Sequence, residues 1–377
     1  MASWQRLRYR RSRHLVGYWV GPDFLIHNYA TGTIVHADPA LCQILDLCDD
    51  WRSGRFLIEQ LPDRTTALLR LTLGRLVRRT LLHRSDHPLQ EGEAVMNTLG
   101  AWNPHVGFFH ASTKNVSYIH PLAGDRALRR QARTSPPPAI VKRHPRAERL
   151  VLPKPSVVGE LPDVLLSRRT WRTFSPKPVE PAALGTLLGL TGGIQHRVTV
   201  PGQGEFALKT SPSGGARHPI ELYVLALRVA GVPRGLYHYR ADTHELELLM
   251  RRGRVDVERY LPTQHWFGGA GAVVFLSAVF RRMLWKYSYA RAYRAAFIEA
   301  GHLCQTFCLV ATWLGLAPFC SMALADSRIE RDLGLDGVSE SVLYCAGVGT
   351  RPASTRPMMV DGRRPFSIRP NVRVRGV

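Results

Sequence analysis

Short apolar runs separated by turn residues make up the amino-terminal part of the chain. The runs HLVGYWV and FLIHNYATGTIVHA, at residues 14–20 and 24–37, predict strands joined through turns. Residues 39–48, PALCQILDLC, predict a helix with proline at its start, and leucines at helical spacing predict a second helix over residues 64–79. This order predicts a small winged-helix-like domain that binds DNA or clamps a peptide, or else an inert cap over the rest of the chain.

Helical and strand-like patterns alternate in the second half of the chain. Residues 181–193, PAALGTLLGLTGG, predict a helix that two glycines end, and residues 220–227, IELYVLAL, predict a strand. Residues 235–249, GLYHYRADTHELELL, predict a hairpin, and residues 270–280, AGAVVFLSAVF, predict a fully buried strand. Apolar residues then recur at helical spacing over residues 293–314, which predicts a long helix up to Gly315. The mixed order predicts an α+β sandwich with a central sheet.

A proline-rich charged segment separates the two halves. Residues 133–155, RTSPPPAIVKRHPRAERLVLPKP, contain three consecutive prolines and six basic residues against one acid. Such sequence stays extended and buries little surface, so it is typical of a linker. We therefore predict a first domain at residues 1–130, a linker at residues 131–156 and a second domain at residues 157–377.

The composition is that of a folded protein with an unusual charge. The chain has 377 residues, of which 45% are hydrophobic, and this excludes a disordered protein. Its net charge of +22 favours an acidic partner, such as nucleic acid, an anionic membrane or an acidic peptide. A genome with an arginine-rich bias produces the same surplus without any acidic partner.

No export signal or membrane span is expected. The basic start of the chain is followed by an apolar run that breaks after Val20, which is too short for an export signal. Residues 303–325 lack charged side chains and are long enough to cross a bilayer, but Gly315 and Pro318 interrupt them. We therefore predict a buried core helix there.

The cysteines predict reduced thiols and no metal site. Cys304 and Cys308 lie one helical turn apart in an apolar run and are expected to be core thiols, with His302 nearby. A second pair of ligands with the usual spacing is missing, so no zinc is predicted. The absence of a disulfide framework predicts a cytoplasmic protein.

Three short segments carry chemistry, and the first is SRRTWRTF at residues 167–174. Its arginines, Arg168, Arg169 and Arg172, surround the hydroxyl of Thr170. Guanidinium groups around a hydroxyl donor suit a phosphate monoester.

The second segment is TSPSGGARHP at residues 210–219, immediately before a predicted strand. Small residues at Ser211, Ser213, Gly214 and Gly215 let the backbone approach a flat ligand and offer it N–H donors. An ordinary turn has the same composition. The segment matches neither the phosphate loop GxxxxGK[ST] nor the dinucleotide motif GxGxxG.

The third segment is WKYSYARAYR at residues 285–294, in which Lys286 precedes Tyr287. Burial of Lys286 among Trp285, Tyr289 and Tyr293 would disfavour its charged form and make it a general base. If a helix begins here, Tyr287 lies on one face and Lys286 on the next. The alternative is a solvated lysine at a helix start, among tyrosines that only pack.

Taken together, these segments resemble one family. SRRTWR, SPSGGARHPIELYV, GLYHY, the KY pair with RAYR, and EAGHLCQTFCLVATWLGL follow in the order found in the SagB-type FMN-dependent azoline dehydrogenases of the nitroreductase superfamily. The resemblance covers about residues 157–350. It implies a nitroreductase-like α+β sandwich, a homodimer with FMN at the subunit interface, and oxidation of thiazoline or oxazoline rings to thiazoles or oxazoles in a ribosomally made peptide, as in thiopeptide biosynthesis.

The resemblance also implies roles for individual residues. Arg168, Thr170 and Arg172 match positions that contact the flavin phosphate and ribityl chain. The positions of Ser211, Ser213, Gly214 and Gly215 match those where the backbone meets the ribityl chain and ring. Lys286 and Tyr287 match the pair that the dehydrogenases need for turnover, and Arg351, Arg356 or Arg363 supplies a late basic residue.

The implied partners are a precursor peptide with an acidic leader and a cyclodehydratase, without nucleic acid or membrane. Two other functions stay open. One is a general nicotinamide-dependent reductase of nitro compounds, quinones or alkenes, and the other is a non-catalytic winged-helix binding protein.

Overall fold

The computed structural model describes residues 3–135, 158–201, 204–253 and 255–353. The chain divides into two compact units, each built from separate stretches of sequence. Unit 1 comprises Met1–Lys114, Val279–Ala296 and Gly334–Ser341. Unit 2 comprises Asn115–Ala278, Phe297–Leu333 and Val342–Val377.

The described residues form twelve α-helices and fourteen strands. The helices are α1 (Ser3–Arg6), α2 (Pro39–Leu47), α3 (Gly54–Gln60), α4 (Thr66–Arg78), α5 (Glu91–Asn97), α6 (Pro104–Ser112), α7 (Pro121–Thr134), α8 (Glu160–Ser167), α9 (Pro181–Gly192), α10 (Phe280–Lys286), α11 (Ala292–Trp313) and α12 (Asp326–Leu333). The strands are β1 (Arg8–Arg11), β2 (Leu15–Val20), β3 (Asp23–Asn28), β4 (Thr33–His36), β5 (Arg52–Ser53), β6 (Leu82–Arg84), β7 (His196–Val200), β8 (Gly204–Leu208), β9 (Ile220–Ala226), β10 (Gly235–Arg240), β11 (Glu245–Arg251), β12 (Ala272–Val279), β13 (Leu316–Ser321) and β14 (Glu340–Thr350).

Unit 1 combines two small sheets with short capped helices. The sheets have the strand orders β5-β1-β6 and β2-β3-β4, and the pairs β1/β5, β1/β6, β2/β3 and β3/β4 are antiparallel. Helices α2, α3 and α4 are preceded by the N-cap residues Asp38, Ser53 and Thr65, whose side chains accept hydrogen bonds from backbone N–H groups of the first turn. A continuous apolar core joins them, formed by Trp4, Tyr9, Ile26, Ile44, Leu45, Cys48, Leu57, Leu61, Leu69, Leu73, Leu76, Leu81 and Leu82. The predicted amino-terminal region of small sheets and helices is confirmed.

A buried acid ties the two sheets of unit 1 to helix α5. Glu93 is fully buried and accepts a hydrogen bond from Asn28 Nδ2 at 2.9 Å and another from the Ser12 hydroxyl. Its second carboxylate oxygen lies 3.1 Å from His83 Nε2. Burying a carboxylate is costly without hydrogen-bond donors, so the bonds from Asn28 and Ser12 to Glu93 hold helix α5 against the sheets.

A six-stranded sheet forms the centre of unit 2. Its order is β11-β10-β9-β12-β14-β13, and the pairs β10/β11, β9/β10, β9/β12 and β13/β14 are antiparallel. Strands β9 and β12 are buried almost throughout, as their apolar sequences predict. Three predictions are confirmed: the hairpin of β10 and β11, the helix α9, which ends at Gly192 and is capped by Gly193, and the mostly antiparallel central sheet.

Helix α11 matches its predicted limits to within one residue at each end. It ends at Trp313, and Gly315 has a φ of 71°, a left-handed conformation that glycine adopts without strain. Strand β13 follows at once, so the uncharged stretch of residues 303–325 is a helix and a strand rather than one span. Within the described ranges, α11 is the one helix long and apolar enough to cross a membrane. Half of its most apolar window is buried inside the protein, and core helices meet the same criteria of length and composition.

The predicted domain limits stay predictions. Helix α7 runs to Thr134 and therefore includes the first residues of the predicted linker. Most of that linker lies outside the described residues. The compact units are not continuous in sequence as the predicted domains are. Residues 279–296 belong to unit 1, although they follow much of unit 2 in the sequence.

Candidate active site

The glycine-containing loop of unit 2 is seated on one face of helix α11. Ser211 Oγ lies 2.8 Å from Thr306 Oγ1, and Gly214 N donates to Glu299 Oε1 at 2.9 Å. His302 Nδ1 lies 3.3 Å from the carbonyl oxygen of Pro212. Positions 299, 302 and 306 recur at helical spacing, so one helix face holds three successive parts of the loop.

Internal hydrogen bonds give this loop a defined backbone. Ala216 N donates to Ser213 O at 3.1 Å, and His218 N donates to Ser213 Oγ at 2.8 Å. Gly215 has a φ of 61°, within the left-handed region that favours glycine. The predicted residues Ser211, Ser213, Gly214 and Gly215 are thus brought together in one tight turn.

Glu299 is a functional candidate that the sequence patterns did not single out. It is only 3% exposed, and this burial raises the pKa of its carboxyl group, while the N–H of Gly214 acts in the opposite direction. A buried acid that directly holds a candidate ligand-binding loop is typical of a functional site. Polar residues at seven-residue spacing in an apolar helix, Glu299 and Thr306, were the available signal.

The arginine segment follows helix α8 in unit 2. The N–H of Trp171 donates to Pro318 O at 2.9 Å, so the segment runs beside the edge strand β13. Arg169 Nη1 donates to the carbonyl groups of Leu166 and Arg168 at 2.8 and 2.7 Å. Arg169 therefore stabilises the end of α8 in this structure, and its predicted role as a phosphate ligand stays a prediction.

The remaining members of the arginine segment have different surroundings. Arg172 lies over the ring of Trp266, with its guanidinium carbon 6.0 Å from the ring centroid. Arg168 is half-buried at the end of α8, and its positive charge acts on the thiol of Cys320. Thr170 is half-buried between them. All three keep their predicted roles as hypotheses.

The late basic residue is only partly described. Arg351 donates from Nε to Leu316 O at 2.7 Å and from Nη2 to Thr312 O at 3.2 Å. It therefore joins the end of α11 to β13, and burial lowers the pKa of its guanidinium group. Arg356 and Arg363 lie outside the described residues.

Lys286 and Tyr287 belong to unit 1, where the structure corrects two expectations. Helix α10 ends at Lys286, Tyr287 leaves helical geometry with φ −120° and ψ 80°, and α11 begins only at Ala292. The helix that would have placed the pair on neighbouring faces is therefore absent. Lys286 is exposed, as are Trp285 and Tyr289, so the expected burial of the lysine is also wrong.

Buried aromatic contacts hold both ends of the segment that carries Lys286. Within unit 1, the rings of Trp102 and Phe280 lie 5.0 Å apart, and Tyr293 Oη lies 2.9 Å from His110 Nδ1. Burial lowers the pKa of His110 to about 4, so its ring is neutral at pH 7. Because His110 Nε2 lies 2.8 Å from a carbonyl oxygen, it carries the proton, and Nδ1 accepts from Tyr293.

Unit 1 also contains a groove beside its second sheet. The groove has a volume of about 920 Å³ and is open to solvent. Its lining includes Arg11, Arg13, Phe24 and Ile26 from the sheet side and Gln43 from helix α2. The groove offers apolar contacts and charges of both signs, because Asp46 and Asp49 also line it and Arg11 Nη1 lies 3.8 Å from Asp46 Oδ1.

Comparison with known proteins identifies the family. The nitroreductase family model matches residues 165–350. A protein of Methanocaldococcus jannaschii that bears the name nitroreductase is 31% identical over 176 residues, which are 46% of this chain and 84% of that protein. The chain belongs to the nitroreductase family.

Two further relatives bear names that refer to peptide processing. The trifolitoxin-processing protein TfxB of Rhizobium leguminosarum bv. trifolii is 30% identical over 42% of this chain and 43% of its own length. The microcin B17-processing protein McbC of Escherichia coli is 30% identical over 33% of this chain and 48% of its own. The match thus spans less than half of the length of each of these two relatives.

The Escherichia coli microcin synthetase complex McbBCD, solved with a truncated precursor bound, has a chain that aligns over 71% of this chain and 100% of its own length. The TM-score is 0.48 and the identity is 21%.

Proposed function

We propose that this nitroreductase-family protein is an FMN-dependent dehydrogenase that converts thiazoline or oxazoline rings of a ribosomally made peptide into thiazoles or oxazoles. One observation carries the proposal. The family match at residues 165–350 includes the arginine segment, the glycine-containing loop and the Lys286–Tyr287 pair, and two relatives of this chain bear names that refer to peptide processing.

The residues of unit 2 fit a flavin mononucleotide chemically. Arg168 and Arg172 supply positive charge for a phosphate monoester, and Thr170 supplies a hydroxyl donor. The loop at Gly214 and Gly215 has no side chains beyond hydrogen, so a flat ring can approach its backbone closely. We propose that these groups bind the cofactor, with Glu299 and Thr306 holding the loop.

The reaction removes two hydrogens from adjacent ring carbons. When bound, FMN would supply the acceptor for the hydride, which leaves the ring carbon bonded to sulfur or oxygen. We propose that Lys286 takes the acidic proton from the carbon beside the peptide carbonyl, and that Tyr287 donates a hydrogen bond to the ring heteroatom or relays the proton. The C–H electron pairs become the new double bond and the hydride, which leaves an aromatic ring.

The test combines an absorption spectrum with mass spectrometry. Purified protein should show a bound flavin, and a precursor peptide that carries azolines should lose two hydrogens per ring. Lys286→Ala should keep its flavin and turn over about 100-fold more slowly or worse, because a missing general base costs about 10²–10⁴-fold. Lys177→Ala, which removes an exposed lysine far along the sequence from the pair, is the matched control.

Two results would remove parts of the proposal. Protein that never retains flavin, even after reconstitution with excess FMN, rules out the cofactor. Full turnover by flavin-loaded Lys286→Ala removes the lysine from the mechanism while leaving the cofactor in place.

The groove of unit 1 supports a peptide partner. Strand β2 is at the edge of its sheet, and its residues Leu15 and Gly17 line the groove. An extended peptide can pair with such an edge while acidic side chains meet Arg13. We propose that the acidic leader of the precursor binds here, after a cyclodehydratase has formed the rings.

A homodimer is also proposed. Helix α11 exposes Ile298 and Trp313, which are 58% and 50% accessible in the single chain. Exposed apolar residues along one long helix favour association with a second copy. Sedimentation of the purified protein at several concentrations tests this.

A general flavin reductase is the second candidate. It is favoured by the exposure of Lys286 and by the relative named as a nitroreductase, which is matched over 84% of its length. Rapid bleaching of the flavin by NADPH, with azoline peptides left unchanged, would support this function over the first.

A further inference from the structure

Three cysteine sulfur atoms converge in unit 2, from two elements that are distant in sequence. Cys304 and Cys308 lie one turn apart on helix α11, and Cys320 lies on strand β13. The three Sγ atoms are all within 4.8 Å of one another, and the six cysteines of the chain are free thiols. The sequence offered only the helix pair and His302, whereas the structure supplies Cys320 as a third sulfur.

The spacing of the sulfur atoms suits one metal ion. Zinc binds thiolate sulfur at about 2.3 Å, so tetrahedral coordination holds two sulfurs about 3.8 Å apart. Sulfurs within 4.8 Å of one another reach that spacing through small side-chain rotations. Three thiolates also leave one coordination position open, and Cys320, the half-buried member, is on the side that solvent reaches.

The surroundings of the cluster include one positive charge. Arg168, half-buried at the end of helix α8, acts electrostatically on Cys308 and Cys320. A zinc ion with three thiolates carries one net negative charge, which the guanidinium group of Arg168 offsets. This compensation matters because Cys304 and Cys308 are only 3% and 4% exposed.

We propose that Cys304, Cys308 and Cys320 form a three-thiolate site for a zinc ion, which clamps helix α11 to the edge strand β13. The fourth ligand is water or the hydroxyl group of Tyr344. Binding releases the thiol protons and involves no redox step. Zinc binding does not require the proposed dehydrogenase activity, although Arg168 is shared with the proposed FMN site.

The experiment measures metal content and coordination in the full chain without an affinity tag. Protein purified under reducing conditions should contain about one zinc per chain by elemental mass spectrometry. After chelation, addition of Co²⁺ alone should give intense thiolate-to-cobalt charge-transfer absorption, which zinc then abolishes. Cys320→Ser should weaken zinc binding by more than the about 10–100-fold that loss of an outer partner costs.

Cys42→Ser is the matched control, because Cys42 is also half-buried but lies on helix α2, outside the cluster. It should bind metal as the unchanged protein does. Zinc-free protein whose cobalt spectrum lacks charge-transfer absorption overturns the proposal, as does equal zinc affinity in Cys320→Ser. Circular dichroism of each variant checks folding, and the Cys304→Ser variant repeats the test from the helix side. None of these measurements depends on flavin or on azoline oxidation.

Discussion

Glu299 links the core of unit 2 to the loop that we propose binds FMN. Its carboxylate accepts the N–H of Gly214 at 2.9 Å, and it is 3% exposed. Removal of the acceptor leaves a buried N–H without a partner, at a cost of about 1–3 kcal/mol. This places Glu299 as a positioning residue, since its effect on the cofactor passes through the loop.

Two substitutions of Glu299 should show whether FMN affinity depends on the charge of its carboxylate or on its hydrogen bond to the loop. Glu299→Gln keeps an oxygen acceptor and should change the FMN dissociation constant by less than about threefold, whereas Glu299→Ala should weaken FMN binding about tenfold or more. Quenching of FMN fluorescence measures the affinity, and hydrogen exchange at residues 211–216 reports loop order without cofactor. Glu205→Ala, at an exposed acid, is the control. Equal affinity in Glu299→Ala would contradict the role.

His238 predicts a pH-dependent contribution to stability. On strand β10, its Nε2 lies 3.1 Å from Glu221 Oε2 and its Nδ1 lies 2.8 Å from Glu247 Oε2. These contacts, first that with Glu221, raise the pKa of His238 from 6.5 to about 9. A raised pKa means that the stabilisation is fully present below pH 6.5 and is lost as pH rises through about 9.

Urea unfolding at pH 6, 8 and 10 tests this contribution. The free energy of unfolding should fall by about 1–2 kcal/mol more in the unchanged protein than in His238→Gln over this range, after allowance for solvent screening. Parallel pH profiles for the two proteins would show that the ion pairs contribute nothing measurable.

Strand β14 depends on a glycine opposite an aromatic ring. Gly347 pairs with Phe319 across the β13/β14 ladder, and a Cβ at Gly347 would overlap that ring. The ring cannot move away easily, because it stacks on Phe267 at 3.7 Å between centroids. Gly347→Ala should therefore destabilise the protein by about 1–3 kcal/mol in chemical unfolding.

Gly301→Ala is the control for this substitution. Gly301 lies within helix α11, and an added Cβ there meets open space. Alanine is the better helix former by about 1 kcal/mol, so this variant should be neutral or slightly more stable. Similar losses in both variants would argue against the cross-strand packing explanation.

The elements that sequence predicted well are those whose pattern is local. Strand β12 and the β10/β11 hairpin match their predicted limits closely, since continuous burial and a turn are visible in the residues themselves. The break between α10 and α11 was not predictable, because no glycine or proline marks it. Tyr293 is held there by His110, which is 183 residues away in the sequence.

In the candidate site, too, sequence revealed the local features and missed those that depend on distant residues. The loop and the arginine segment were found from composition, but Glu299 and Cys320 gain their importance from partners far away in the chain. The exposure of Lys286 could not be foreseen either, because aromatic neighbours in sequence do not have to cover a side chain in space.

At the scale of the whole molecule, the net charge of +22 predicts long-range attraction of an acidic peptide. Charges separated by more than about 10 Å are screened at 0.1 M salt, so the general attraction should weaken as salt rises. Contacts in the unit 1 groove should persist to higher salt concentrations, because its lining also contains apolar residues such as Phe24 and Ile26. The two contributions can therefore be separated.

Two charge-reversal substitutions distinguish the long-range attraction from binding in the groove. Arg13 and Arg75 are both exposed, but only Arg13 lines the groove, so Arg13→Glu and Arg75→Glu change the net charge equally. Fluorescence anisotropy with a labelled acidic peptide at 50 and 300 mM NaCl should show about tenfold weaker binding for Arg13→Glu at both salt concentrations, equivalent to about 1.4 kcal/mol. Arg75→Glu should lose little, and less at the higher salt. Equal losses in the two variants would mean that the peptide responds only to overall charge and that the groove is not its binding site.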